Sequence, residues 1–179
     1  MKRYLALLRG VNISGKNQIA MPELKTAAAA LGFDDVRTHL NSGNLLFTAP
    51  EAAPLQLGNQ MRAMIRSRFG LDIPVLVLPQ DELREILANA PEWWGTADRG
   101  IYDNLIFVLP DSSPEKIAEQ IGAPSEGLEQ IMIFRRCIFW SFDRAKYAKA
   151  NWWKKTASNG IAELLTIRTA NTLRKIAGM

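Results

Sequence analysis

The chain of 179 residues has room for one domain or two small ones, and 47% hydrophobic with 22% charged residues is a globular balance, not a disordered one. No apolar run approaches the ~20 residues that span a bilayer. One cysteine, Cys137, excludes an internal disulfide, and with His39 the sole histidine no multi-cysteine or His-rich metal site is expected. The net charge of +4 is uneven: residues 143–179 carry eight Lys/Arg against two Asp/Glu, a balance of +6, whereas the remainder carries 14 against 16.

The first apolar run covers residues 2–8 and reads as a buried strand. Lys2 and Arg3 imitate the start of a secretory leader, but Arg9 and Asn12 interrupt the run too early. The cytoplasm is the expected compartment. Residues 21–31 read as a helix. Pro22 suits its first turn, Glu23 its dipole and Gly32 its C-terminal cap, with Leu24, Ala27, Ala28 and Leu31 on one face. Short strands at 36–40 and 45–48 flank the turn Asn41-Ser42-Gly43-Asn44. Pro54 opens a second helix that Gly70 closes, and residues 73–78 form another strand. The order strand, helix, strand, strand, helix, strand over residues 1–79 is the ferredoxin-like βαββαβ arrangement.

A helix at 80–89 and the irregular Pro91-Glu92-Trp93-Trp94-Gly95 make residues 80–100 a helical linker. Residues 101–179 form a second, smaller α+β subdomain with a basic helical end. Its expected elements are a strand at 104–109, a helix capped by Ser113 with Pro114 in its first turn, and a hairpin at 130–134 and 137–142 around Arg135-Arg136. Helical segments are expected at 144–155, 160–165 and 170–177. The predicted fold class is α+β throughout.

In the ferredoxin-like order the loop after the first strand and the turn between the second and third leave the sheet at one end. Arg9-Gly10-Val11-Asn12-Ile13-Ser14-Gly15-Lys16 then lies beside Ser42-Gly43-Asn44. Amides near a helix N-terminus, with Arg9 and Lys16 at hand, suit an anion. The spacing is neither a Walker loop nor a dinucleotide fingerprint. The alternative is that Gly10 and Gly15 only permit turns, Asn12 caps the backbone and Arg9 pairs with a carboxylate. The asparagines and glycine of the second turn likewise tolerate positive φ. His39 and Cys137 read as structural. No acid pair or nucleophile elbow stands out, so no catalytic group and no cofactor is assigned.

In the C-terminal segment Lys146, Lys149, Lys154 and Lys155 interleave with Tyr147, Trp152 and Trp153. That mixture suits phosphate contact with base stacking. It more readily describes a helix with a solvated cationic face and inward tryptophans.

The run Tyr4-Leu5-Ala6-Leu7-Leu8-Arg9-Gly10-Val11-Asn12, then Gly15-Lys16-Asn17, Met21-Pro22 and Leu24, closely resembles the start of a bacterial family known as domain of unknown function 1697. Gly32-Phe33, Val36-Arg37-Thr38, Ser42-Gly43-Asn44 and Arg68-Phe69-Gly70 continue the likeness, and Arg168, Asn171 and Thr172 resemble the family's closing pattern. Ser14 stands where the family usually has glycine, Thr169-Ala170 where it has asparagine-tryptophan, and residues 144–165 follow it poorly. The resemblance implies an α+β fold with a ferredoxin-like N-terminal unit and no established activity.

The leading expectation is a phosphate-bearing ligand held by Arg9, Gly10, Asn12, Gly15, Lys16, Ser42, Gly43 and Asn44, completed by Arg168 and Asn171 at the start of the last helix. Nucleic-acid binding through the basic aromatic half is a second expectation, and phosphoryl or nucleotidyl transfer at the same rim a third.

Overall fold

A computed structural model describes residues 1–179. The fold is mixed α and β, with two four-stranded antiparallel sheets. Two compact units divide the chain, Met1–Glu85 and Ile86–Met179.

The first sheet is ordered β2-β3-β1-β4, with β1 at Lys2–Leu8, β2 at Asp34–His39, β3 at Asn44–Ala49 and β4 at Val75–Pro79. Strand β1 is central, and Tyr4 to Leu8 are buried on both faces, which is why the run is apolar without alternation. On one face Tyr4, Ala6, Leu8 and Phe47 pack with Leu24 and Ala28 of α1 (Met21–Ala29) and Met61 and Ile65 of α2 (Pro54–Phe69). Phe33 stacks on Phe47 with ring centres 4.3 Å apart. The Tyr4 hydroxyl, buried among them, donates to Ala52 O and accepts from Ala52 N, both at 3.1 Å. Helix α2 lies tight on β4 because position 58 is glycine: a Cβ there would stand 3.0 Å from Val75 O.

Helix α1 is shorter than its periodicity suggests. It ends at Ala29, so Leu31 falls outside it and is exposed, while Leu24, Ala27 and Ala28 are buried as expected.

The second sheet is ordered β6-β7-β5-β8, with β5 at Ile101–Val108, β6 at Glu129–Phe134, β7 at Cys137–Asp143 and β8 at Leu165–Thr169. Its core joins Ile106, Ile138, Trp140 and Leu165 to Ile117 of α4 (Pro114–Ile121) and Trp152 of α5 (Asn151–Thr156). Each sheet is followed directly by a helix, α3 (Gln80–Ala88) after β4 and α6 (Ala170–Ala177) after β8. The two halves of the chain thus share one element order and one strand order.

Two expectations for the second half are corrected. The segment 160–165 is not a helix. A single 3-10 turn at Ala162–Leu164 leads into β8, which pairs antiparallel with β5 from Asn104↔Thr169 to Val108↔Leu165. The segment 144–155 is two short pieces, a 3-10 stretch at Arg144–Lys149 and α5, separated by the extended Ala150.

Candidate functional site

In the first unit the loop leaving β1 turns back on itself. Gly10 (φ 64°), Asn12 (55°), Ser14 (50°), Gly15 (76°) and Asn17 (48°) all adopt left-handed backbone. Glycine and asparagine reach that region at least cost, so the composition of the loop follows from its path. Asn12 clasps it: Oδ1 accepts from Ile19 N at 2.9 Å, and Nδ2 donates to Ile19 O at 2.9 Å and to Asn41 O at 2.8 Å. Asn17 Nδ2 donates to Gly10 O at 3.0 Å, and Lys16 N to Ile13 O at 2.9 Å.

The turn between β2 and β3 lies against this loop. Leu8 N donates to Gly43 O at 2.8 Å. Gly43 (φ 75°) has no alternative, since a Cβ there would meet Leu8 Cβ at 2.7 Å and Val11 Cβ at 3.3 Å. Asn44, fully buried, donates from Nδ2 to His39 O at 2.9 Å and to Ser42 Oγ at 3.0 Å. Asn12 and Asn44 therefore shape the rim through their side chains. Arg9 is half-buried with its backbone N–H on Pro74 O, and Lys16 is exposed.

A cavity of 390 Å³ opens between the loop and the start of α1, lined by Asn12, Gly15, Gln18, Ile19, Met21 and Asn41, with Ala20. Ala20 caps α1 without a side-chain hydrogen bond, and Pro22 brings no donor to the first turn. The N–H groups of Met21 and Glu23 stand in that turn, which no side chain caps. Glu23 places a carboxylate in the same turn.

Arg168 and Asn171 belong to the second unit. Arg168 is not in the last helix: it lies in β8, buried, donating from Nη1 to Thr166 Oγ1 at 3.0 Å and to Ile167 O at 2.9 Å. Burial lowers its guanidinium to about 10, which leaves it charged at neutral pH. Asn171 is in the first turn of α6, where Thr169 Oγ1 accepts from Thr172 N at 3.3 Å. It lines a 440 Å³ cavity that includes Asp98, Arg99, Tyr102, Asp103 and Arg144, and Arg168 is not part of that lining.

Beside it lies a 350 Å³ recess walled by Tyr102, Phe142, Arg144, Tyr147 and Trp153. Here the basic aromatic segment divides. Trp152 is core, its Nε1 donating to Gly122 O at 3.0 Å, whereas Trp153 and Tyr147 are exposed. The carboxylate of Glu129, buried in β6, accepts from Ser125 N, Trp140 Nε1, Trp152 N and Trp153 N. Sequence reading missed Glu129, because nothing in its neighbours marks a carboxylate that receives a distant helix start. No group of three or more His, Cys, Asp or Glu side chains is arranged to hold a metal ion.

The family model described as "Protein of unknown function (DUF1697)" matches residues 1–139. The chain belongs to the DUF1697 family. The match takes in the whole rim and stops inside β7. The solved structure of the conserved bacterial protein SP0830 from Streptococcus pneumoniae is similar with a TM-score of 0.86 at 25% identity, covering 99% of this chain and 97% of that one. No curated protein matches the chain. In this DUF1697 protein Ser14 holds a left-handed φ of 50°, a region that glycine reaches at least cost.

Proposed function

We propose that this DUF1697 protein binds a phosphate-bearing small molecule at the rim of its first unit. The observation that carries the reading is the 390 Å³ cavity between the clasped loop and the start of α1, which lacks a side-chain cap. A helix start without a side-chain cap presents N–H groups to an anion. The Asn12 clasp holds the loop in place before any ligand arrives, so little ordering entropy is lost on binding. Lys16, exposed on the loop, supplies mobile positive charge, and Arg9 stands at its base. The Ser42-Gly43-Asn44 turn keeps the far side of the rim in register. We read both units as ferredoxin-like on their shared strand order, and the lone, buried Cys137 suits a cytoplasmic setting.

The test is calorimetric titration of the full chain with pyrophosphate, ATP, UMP and glucose 6-phosphate, for the native protein and for Lys16→Ala. Binding of at least one, weakened about fivefold or more in the variant, is expected from loss of one charge-assisted contact. Absence of binding across the panel, or affinities unmoved by the substitution, removes the proposal. Release of inorganic phosphate that disappears with Lys16→Ala extends it to phosphoryl transfer at the same rim.

A further inference from the structure

The aromatic recess of the second unit is built unlike a surface accident. Trp153 and Tyr147 are 41% and 47% exposed, although large rings gain most from burial. They meet edge to face, with centres 5.2 Å apart at 70°. Phe142 forms the floor, 5.3 Å from Trp153 and 5.4 Å from Tyr102. The result is an open aromatic corner.

Its charge is positive. Arg144 Cζ lies 4.8 Å from the centre of the Tyr102 ring. Tyr102 and Arg144 also line the neighbouring 440 Å³ cavity, so the two hollows share a wall, and Arg99 stands in the second. Of the nearby carboxylates Asp143 pairs with Lys146 at 3.4 Å, whereas Asp103 and Asp98 accept from the neutral Ser141 hydroxyl and Gly100 N, the latter at 2.7 Å, and leave Arg99 and Arg144 balanced within the 440 Å³ cavity. Lys149, Lys154 and Lys155, on and just before α5, are exposed in the same stretch of chain.

We propose that this surface binds single-stranded nucleic acid, one base stacking on one ring of the Trp153–Tyr147 pair and meeting the other edge-on, while adjoining phosphates contact Arg144 and Arg99. Planar π faces attract any base, and cations follow the backbone. A duplex hides its base faces. Cations spread over more surface than one phosphate covers point to a strand, not to a free nucleotide. The residues of this site all belong to the second unit.

The experiment is fluorescence anisotropy of the full chain with labelled 12-nucleotide RNA and DNA strands, the matching duplex, and UMP as competitor, over a series of salt concentrations. Single strands are expected to bind more tightly than duplex, with affinity falling steeply with salt. Trp153→Leu and Tyr147→Leu, both at exposed positions, should each weaken binding about tenfold at an unchanged salt slope. Arg144→Ala should weaken it and flatten the slope by about one. Lys16→Ala should leave it unmoved, which separates this site from the rim. Failure to bind single strands, equal affinity for duplex, full competition by UMP, or aromatic variants that bind like the native protein each overturn the proposal.

Discussion

The carboxylate of Glu129 receives the backbone N–H of Trp152, at 3.0 Å to Oε1 and 3.1 Å to Oε2. It also accepts from Trp153 N at 3.3 Å. A side chain of β6 thereby caps α5, whose own cap residue, Ala150, offers none. The negative charge meets the positive end of the helix in a buried setting, where unpaired amides are costly. Because the same helix carries Trp152 inward and Trp153 outward, this contact links the core to the exposed aromatic corner.

Glu129→Gln keeps the shape but places an amide NH₂ against at least two donors, Ser125 N and Trp152 N. It should lower stability by about 2 kcal/mol, read from the urea midpoint at constant m-value. Tryptophan emission should also shift as Trp153 loses its fixed setting. A variant as stable as the native protein shows that Glu129 is not the cap of α5.

Ser14 holds φ 50° in an exposed turn. A non-glycine residue in left-handed backbone costs about 1–2 kcal/mol, and glycine avoids most of that cost while losing more chain entropy. Ser14→Gly should therefore raise stability by about 0.5 kcal/mol, visible as a higher denaturation midpoint. A lower midpoint means that the serine hydroxyl contributes something that its backbone does not explain.

The sequence carried the first unit well because its punctuation is local. Pro22, Pro54, Gly43 and Gly70 sit at element ends, and β1 is a central strand apolar on both faces. Strand β8 was hidden for the opposite reason. Thr166 and Arg168 are polar yet buried, so its alternation does not read as inside and outside. The break at Ala150 was equally hidden, since it depends on Glu129, more than twenty residues away. At the rim, residue types foretold that two loops adjoin, but not that Asn12 and Asn44 spend their side chains in holding them.

Asp35 sits between two arginines: Arg37 Nε donates to Oδ1 at 3.0 Å and Arg3 Nη1 to Oδ2 at 2.6 Å. The hydrogen bond from Arg37 is the largest influence and, with Arg3, holds the carboxyl below its ordinary value of 3.8. A depressed carboxylate stabilises the fold above its unfolded value, and that contribution is lost as pH falls through the folded one. Carboxyl NMR titration should place Asp35 below 3.8, and Arg37→Gln should move it upward. An unmoved midpoint assigns the shift to Arg3 instead.

Glu23 occupies the first turn of α1, beside the cavity proposed for phosphate. Its carboxylate complements the helix dipole when the cavity is empty and repels an anion when it is filled. Glu23→Gln removes both effects. Stability should fall slightly, by about 0.5 kcal/mol, while affinity for the phosphate ligand rises severalfold. The opposite signs make the test informative, because a merely damaged helix start lowers both. If affinity falls together with stability, the start of α1 is not where the anion sits.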